Sequence, residues 1–170
     1  MFCALLVGGC TTTTITPQSV QAPPQSYHAI VGGDLAASDP TWASYPAHFR
    51  KGFEEKLRES QALAVIDAVG ANARPDAVRI DGRLTEVDKG SRVARLLIGF
   101  GAGRARVRGD FTVVDSRGAK LASFESGKAY SGGAGIRGGD LLDMDDLMEK
   151  FGADTAEAVI RWSRGEPLSD

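Results

Sequence analysis

The sequence predicts an α+β domain in which two amphipathic helices pack on a mainly antiparallel sheet of about five strands. Two observations carry this reading. Apolar residues recur at helical spacing in two separate stretches, and between them long segments alternate apolar and polar residues with a period of two. A chain of 170 residues with 42% hydrophobic and 25% charged residues has the make-up of one folded domain plus a tail. Its net charge of −2 excludes a globally basic nucleic-acid binder.

Taken in order, residues 27–33 (YHAIVGG) read as a short first strand. Tyr45, Phe49, Phe53 and Leu57 then recur every four residues among Arg50, Lys51, Glu54, Glu55 and Lys56. This is an apolar stripe backed by a charged face, with Pro46 suited to the first turn. Residues 63–69 (LAVIDAV) are hydrophobic enough for a buried strand. In residues 78–87, Val78, Ile80, Gly82 and Leu84 alternate with Arg79, Asp81, Arg83 and Thr85, as in a sheet with one wet face. Residues 104–114 repeat the pattern with Ala105, Val107, Phe111 and Val113 inward. Asp115-Ser116-Arg117-Gly118 is a turn signal, and residues 120–126 pair back as a hairpin. Residues 131–139 (SGGAGIRGG) read as a mobile loop before a helix capped by Asp140. Leu141, Met144, Leu147, Met148, Phe151, Val159 and Trp162 give its apolar face. Gly152 is a point at which this helix would break into two.

The first ten residues concern address. Residues 1–9 form an apolar run too short to span a bilayer, which takes ~20 apolar residues, and they end in Gly8-Gly9 before Cys10. This reads as a signal peptide closed by a lipobox, with Cys10 as the lipidated mature N-terminus. No Lys or Arg precedes the run, so the reading expects a start codon further upstream. Residues 11–26, rich in Thr, Gln, Ser and Pro, read as a solvated tether. The expected layout is therefore 1–9 signal peptide, 10–26 lipidated cysteine and tether, 27–165 a single periplasmic domain and 166–170 a tail. Thr11, which is not the Asp that holds many lipoproteins in the inner membrane, favours the periplasmic face of the outer membrane.

Residues 82–91 (GRLTEVDKGS), followed by Ala94-Arg95, Gly99-Phe100-Gly101-Ala102-Gly103, Val114-Asp115, Gly118 and the later Gly-Gly loop, resemble a family of bacterial exported lipoproteins filed as domain of unknown function 4410. The resemblance spans residues 29–161. It implies an envelope-associated α+β domain akin to auxiliary lipoproteins of transport or secretion assemblies, and brings no catalytic residues with it.

Three groups of residues carry candidate chemistry. Gly99, Gly101 and Gly103 follow an apolar stretch, but GxGxG leading into a strand is not the GxGxxG that opens a dinucleotide-binding helix. A sharp turn is the simpler account. Residues 74–108 carry eight Arg and one Lys against four carboxylates. Arg79, Arg83, Arg104, Arg106 and Arg108 on neighbouring strands make a candidate cationic patch for lipid headgroups, phosphates or an acidic protein. Its alternative is a solvated face, or one covered by the acidic residues 140–170. Asp140, Asp143, Asp145 and Asp146 suit the first turn of a helix without any metal. His28 and His48 sit near no nucleophile motif. His28 reads as a strand-surface residue and His48 as a first-turn residue of the helix, while Trp42 and Trp162 read as packing anchors.

The sequence thus favours a lipid-anchored interaction or assembly module of the cell envelope that is not an enzyme. It calls for no cofactor and no metal, and expects an envelope protein partner and no nucleic acid. The rival is a ligand- or nucleotide-binding protein or enzyme built on the 99–103 turn. The oligomeric state stays open.

Overall fold

The computed structural model describes residues 10–20, 27–67, 74–89, 105–131 and 144–168. Strands β1 (Cys10–Val20), β2 (Ala29–Ala37), β3 (Ala64–Val65), β4 (Ala77–Asp88), β5 (Ala105–Asp115) and β6 (Lys120–Ser131) form one sheet in the order β1-β6-β5-β4-β2-β3. Helices α1 (Tyr45–Ser60) and α2 (Met144–Ser163) lie side by side on one face. The α+β class is as expected, with a sixth strand. The sheet is mixed, because β2 runs parallel to both β3 and β4, while β4, β5, β6 and β1 are antiparallel in succession.

The inward face follows the alternation. Val78, Ile80 and Leu84 of β4 and Val107, Phe111 and Val113 of β5 are buried, as are Phe49, Phe53 and Leu57 of α1 and Leu147, Met148, Phe151, Val159 and Trp162 of α2. Five rings form the centre. Phe49 stacks on Phe53 and Phe111, Phe111 stacks on Phe124, and Phe151 meets Phe49 edge-on at a centroid distance of 5.4 Å. Trp162 is buried against Tyr27, 6.1 Å between centroids, and Trp42 is half-buried against the core. Both act as packing anchors.

Four local expectations change. Residues 63–69 contribute only the two-residue β3, because Ala64 is exposed and the strand pairs with β2 alone; residues 68 and 69 lie outside the described residues. Gly152 does not break α2, which is continuous. Its missing side chain is used instead by α1, whose Phe49 carbonyl oxygen would stand 2.1 Å from a Cβ there. β2 extends beyond residue 33 through a bulge at Gly32 and Gly33, where φ of 83° at Gly33 suits only glycine without strain.

The largest correction concerns the tether. Cys10–Val20 is strand β1, paired antiparallel with β6 from Cys10 opposite Ser131 to Val20 opposite Ala122; residues 21–26 lie outside the described residues. Composition misleads here because a threonine-rich strand buries little of itself. Of its described side chains only Ile15 is half-buried. Backbone pairing and β-branched residues suffice to hold it to an existing sheet edge.

The hairpin turn after β5 was legible. Asp115 accepts the backbone N–H groups of Arg117 at 2.9 Å and Ala119 at 2.8 Å, and Gly118 takes φ 84°. The Ala119 N–H holds the Asp115 carboxyl below the ordinary aspartate range, with Arg117 contributing and desolvation opposing. Between the helices, Lys51 reaches both oxygens of Glu149 at 2.9 Å, holding Glu149 below and Lys51 above their ordinary values. For a carboxyl depressed in the folded state, the stability it contributes is present above its unfolded pKa of about 4 and is lost as pH falls through the folded value. Acid-induced unfolding is therefore expected to be less steep below pH 4 in Asp115→Asn and in Glu149→Gln than in the parent chain. Urea titrations at stepped pH check this, and parallel pH curves for parent and variants contradict it.

Candidate interaction surface

Among the described residues the sheet is clothed on one face, by α1 and α2. The other face carries the candidate arginines, and the register shows their neighbours. Arg83 stands opposite Asp110, Glu86 opposite Arg108, and Asp88 opposite Arg106. Arg79 bonds Asp81 at 2.9 Å, and Arg108 reaches Glu86 at 3.2 Å and Glu125 at 3.7 Å. Arg79, Arg83, Arg106 and Arg108 thus share one exposed face, as their alternation implied, but in a lattice of alternating sign rather than a continuous cationic patch. A sequence sum over residues 74–108 misses this, because Asp110 and Glu125 come from beyond that window. The acidic C-terminal helix packs on the opposite face, so it does not cover these arginines. Arg104, and with it Gly99, Gly101 and Gly103, lies outside the described residues, as do Asp140 and Asp143.

The strand directions sort the molecule into two ends. β1 starts, β4 ends, β5 starts and β6 ends at one end, where the first turns of α1 and α2 also lie. Cys10, Lys89 and Arg106 belong to this end. Here His48 of α1 faces Asp145 and Glu149 of α2, each 3.5 Å away. His48 is a first-turn residue, as expected, and serves as an interhelical contact. His28 is an exposed residue just before β2.

At the β1 edge the inner face turns polar. Lys128 of β6 lies under α2 at 5% exposure, donates to Thr13 Oγ1 at 3.1 Å and pairs with Asp154; Thr13 Oγ1 in turn donates to Asp154. Next along, Thr155 of α2 donates to Ser126 at 3.2 Å. Outside this cluster runs a groove of about 370 Å³ between β1 and α2, lined among others by Thr13, Ile15, Asp154, Glu157 and Arg161. A second hollow of about 550 Å³ lies along the exposed side of α1, beside Arg50, Glu54 and Arg58. Both are open to solvent. Among the described residues there is no group of three or more His, Cys, Asp or Glu side chains placed to share a metal ion, and no helix long and apolar enough to cross a membrane. Sequence reasoning missed Lys128 and Asp154 because each sits among residues of its own element with no motif. A lysine at an inward position of a strand was the available signal.

A two-layer α+β module that, among the described residues, leaves one sheet face uncovered and a threonine-rich strand at the sheet edge is the class of protein this geometry defines. The model of a domain of unknown function (DUF4410) matches residues 11–134, and the chain belongs to that family. The fold is similar to that of the PelC dodecamer from Paraburkholderia phytofirmans in space group P6, with a TM-score of 0.58 and 14% identity over 91% of this chain and 99% of that one. A point variant of that PelC dodecamer, from the same organism in space group C2, aligns with a TM-score of 0.56 and 16% identity, over 92% and 99% of the two chains. No curated protein matches the chain in sequence.

Proposed function

We propose that this protein is a non-catalytic assembly module of the cell envelope, held to a membrane by lipid on Cys10 and facing the periplasm, and that it works by presenting its uncovered sheet face and free edge to other proteins. The observation that supports this best is a sheet that, among the described residues, is covered on one face alone. Its outer face is a solvated lattice of paired charges, and its polar edge strand leads back to the proposed anchor. The likeness in fold to PelC, which forms dodecamers, adds that this architecture is used in multi-subunit assemblies.

Because Cys10 opens β1, a lipid there is attached at the end of a sheet strand and not at the end of a loose tether. The body is then held close to the bilayer, with the end bearing Lys89 and Arg106 towards it. Several acyl chains, at ~0.8 kcal/mol per buried CH₂, make such an anchor nearly permanent. Parent protein is expected in the membrane fraction and Cys10→Ala in the soluble fraction, with envelope proteins crosslinked to the parent in living cells. Failure of labelled fatty acid to enter the protein, or membrane retention of Cys10→Ala, overturns the anchor. Absence of any protein crosslink overturns the assembly role.

A further inference from the structure

The two edges of the sheet are unlike. On the far side, β3 is two residues long, and the exposed end of β2 is kinked by the Gly32-Gly33 bulge and bears Asp34 paired with Arg50 of α1. Short strands, bulges and charges are what keep a sheet edge from recruiting another strand. β1 has none of these over residues 10–16. Its register with β6 is unbroken from Cys10 to Thr16, the first irregularity coming between Pro17 and Ser19. Every side chain over 11–16 is Thr or Ile, with no charge and no proline. Among the described residues β6 is its only strand neighbour. One row of β1 backbone N–H and C=O groups points away from β6, and among the described residues no strand takes it.

We propose that this edge pairs with β1 of a second copy of the chain, antiparallel about Thr14, joining two sheets into one. The inference rests on the assembly reading above and names its partner. The strand's own composition selects the occupant. An antiparallel pair about Thr14 sets Thr14 opposite its copy, Thr12 opposite Thr16, and Thr13 opposite Ile15, so that identical strands meet without like charges and with threonine against threonine on the outer face. Such cross-strand threonine pairs are favourable, whereas like charges placed directly opposite are not. A heterologous strand gains nothing from this symmetry. Pro17 and the irregularity after it bound the pairing on the side away from Cys10. The self-pairing contact is isologous, so it closes at two copies and leaves the charged outer faces of both free for further partners.

The test uses the full chain, extracted in detergent and followed by sedimentation, with Thr14→Lys and Thr14→Glu as variants. Thr14 is exposed, so both are expected to keep the parent's circular dichroism and melting curve. The parent is expected to self-associate. Each variant alone is expected to associate at least tenfold more weakly, because the twofold places its charge opposite itself. An equimolar mixture of the two is expected to regain association. Parent-like association of either variant alone overturns the proposal, as does a mixture that stays dissociated. A parent that is monomeric in detergent yet crosslinks other envelope proteins in cells overturns self-pairing and leaves the assembly reading standing. A parent with neither property removes both.

Discussion

Gly152→Ala is expected to destabilise the protein by about 3 kcal/mol or more, even though alanine is the better helix former by about 1 kcal/mol. The helix crossing decides the sign. A Cβ on Gly152 would stand 2.1 Å from the Phe49 carbonyl oxygen and 2.9 Å from the Phe53 nitrogen; one on Gly52 would stand 1.9 Å from the Glu149 carbonyl oxygen. Each helix thus takes the other's backbone into the place of its own missing side chain. No rotamer change relieves a clash with backbone, so the helices must part. Parting them loosens the contact of Phe49 with Phe151 and weakens the Lys51–Glu149 pair. For a domain of this size the loss corresponds to roughly 6–12 °C in melting temperature. Gly52→Ala is expected to cost as much, and the double variant less than the sum of the two, because helices already separated accommodate the second methyl. Gly118→Ala, where no atom lies within 4 Å of the Cβ, is the contrast. It meets only the strain of a positive φ, of order 1 kcal/mol. Denaturant unfolding of the four variants checks the ordering, and a Gly152→Ala protein at least as stable as the parent contradicts the close crossing.

This crossing also marks where sequence stops being informative. Tyr45, Phe49, Phe53 and Leu57 announced α1 because helical burial repeats within one segment, and the alternation in β4 and β5 announced the sheet for the same reason. Gly152 carries its meaning only in relation to Phe49, about a hundred residues earlier, so from the sequence it reads as a helix breaker. The arginines show the same limit. Alternation placed Arg79, Arg83, Arg106 and Arg108 on one face, but which acids stand opposite them is a matter of register across strands, and register turned the expected patch into a lattice of both signs. β1 was illegible for a different reason. A strand that docks on a finished edge needs no apolar face, so its composition matches that of a tether until β6 is there to receive it.

What fixes β1 in its place can be measured at Lys128, and here the second large effect is expected. Asp154→Ala leaves the Lys128 ammonium at 5% exposure with only Thr13 as a described side-chain hydrogen-bond partner, against a normal requirement that a buried charge be paired. Loss of one partner of a buried pair costs about 3–5 kcal/mol. Asp154 is itself 30% exposed, so water relieves part of this, and about 2–3 kcal/mol is the expected loss. Lys128→Met removes the charge and keeps an unbranched apolar chain of similar length, so it is expected to change stability by less than about 1 kcal/mol. Combined with Asp154→Ala, it is expected to restore most of what that variant loses. The position of the ion pair makes a further, local consequence follow. Thr13 bonds both members, which tie β1 to β6 and α2 where, among the described side chains, apolar burial from β1 is confined to Ile15. Backbone amides of residues 11–16 are therefore expected to exchange faster in Asp154→Ala than in the parent, by more than those of β4 and β5. If Asp154→Ala and Lys128→Met cost the same, the ammonium is solvated and β1 is held by its backbone ladder alone; if the β1 amides exchange no faster than those of the central strands, the ion pair stabilises the whole domain and does not act as a latch for the edge strand.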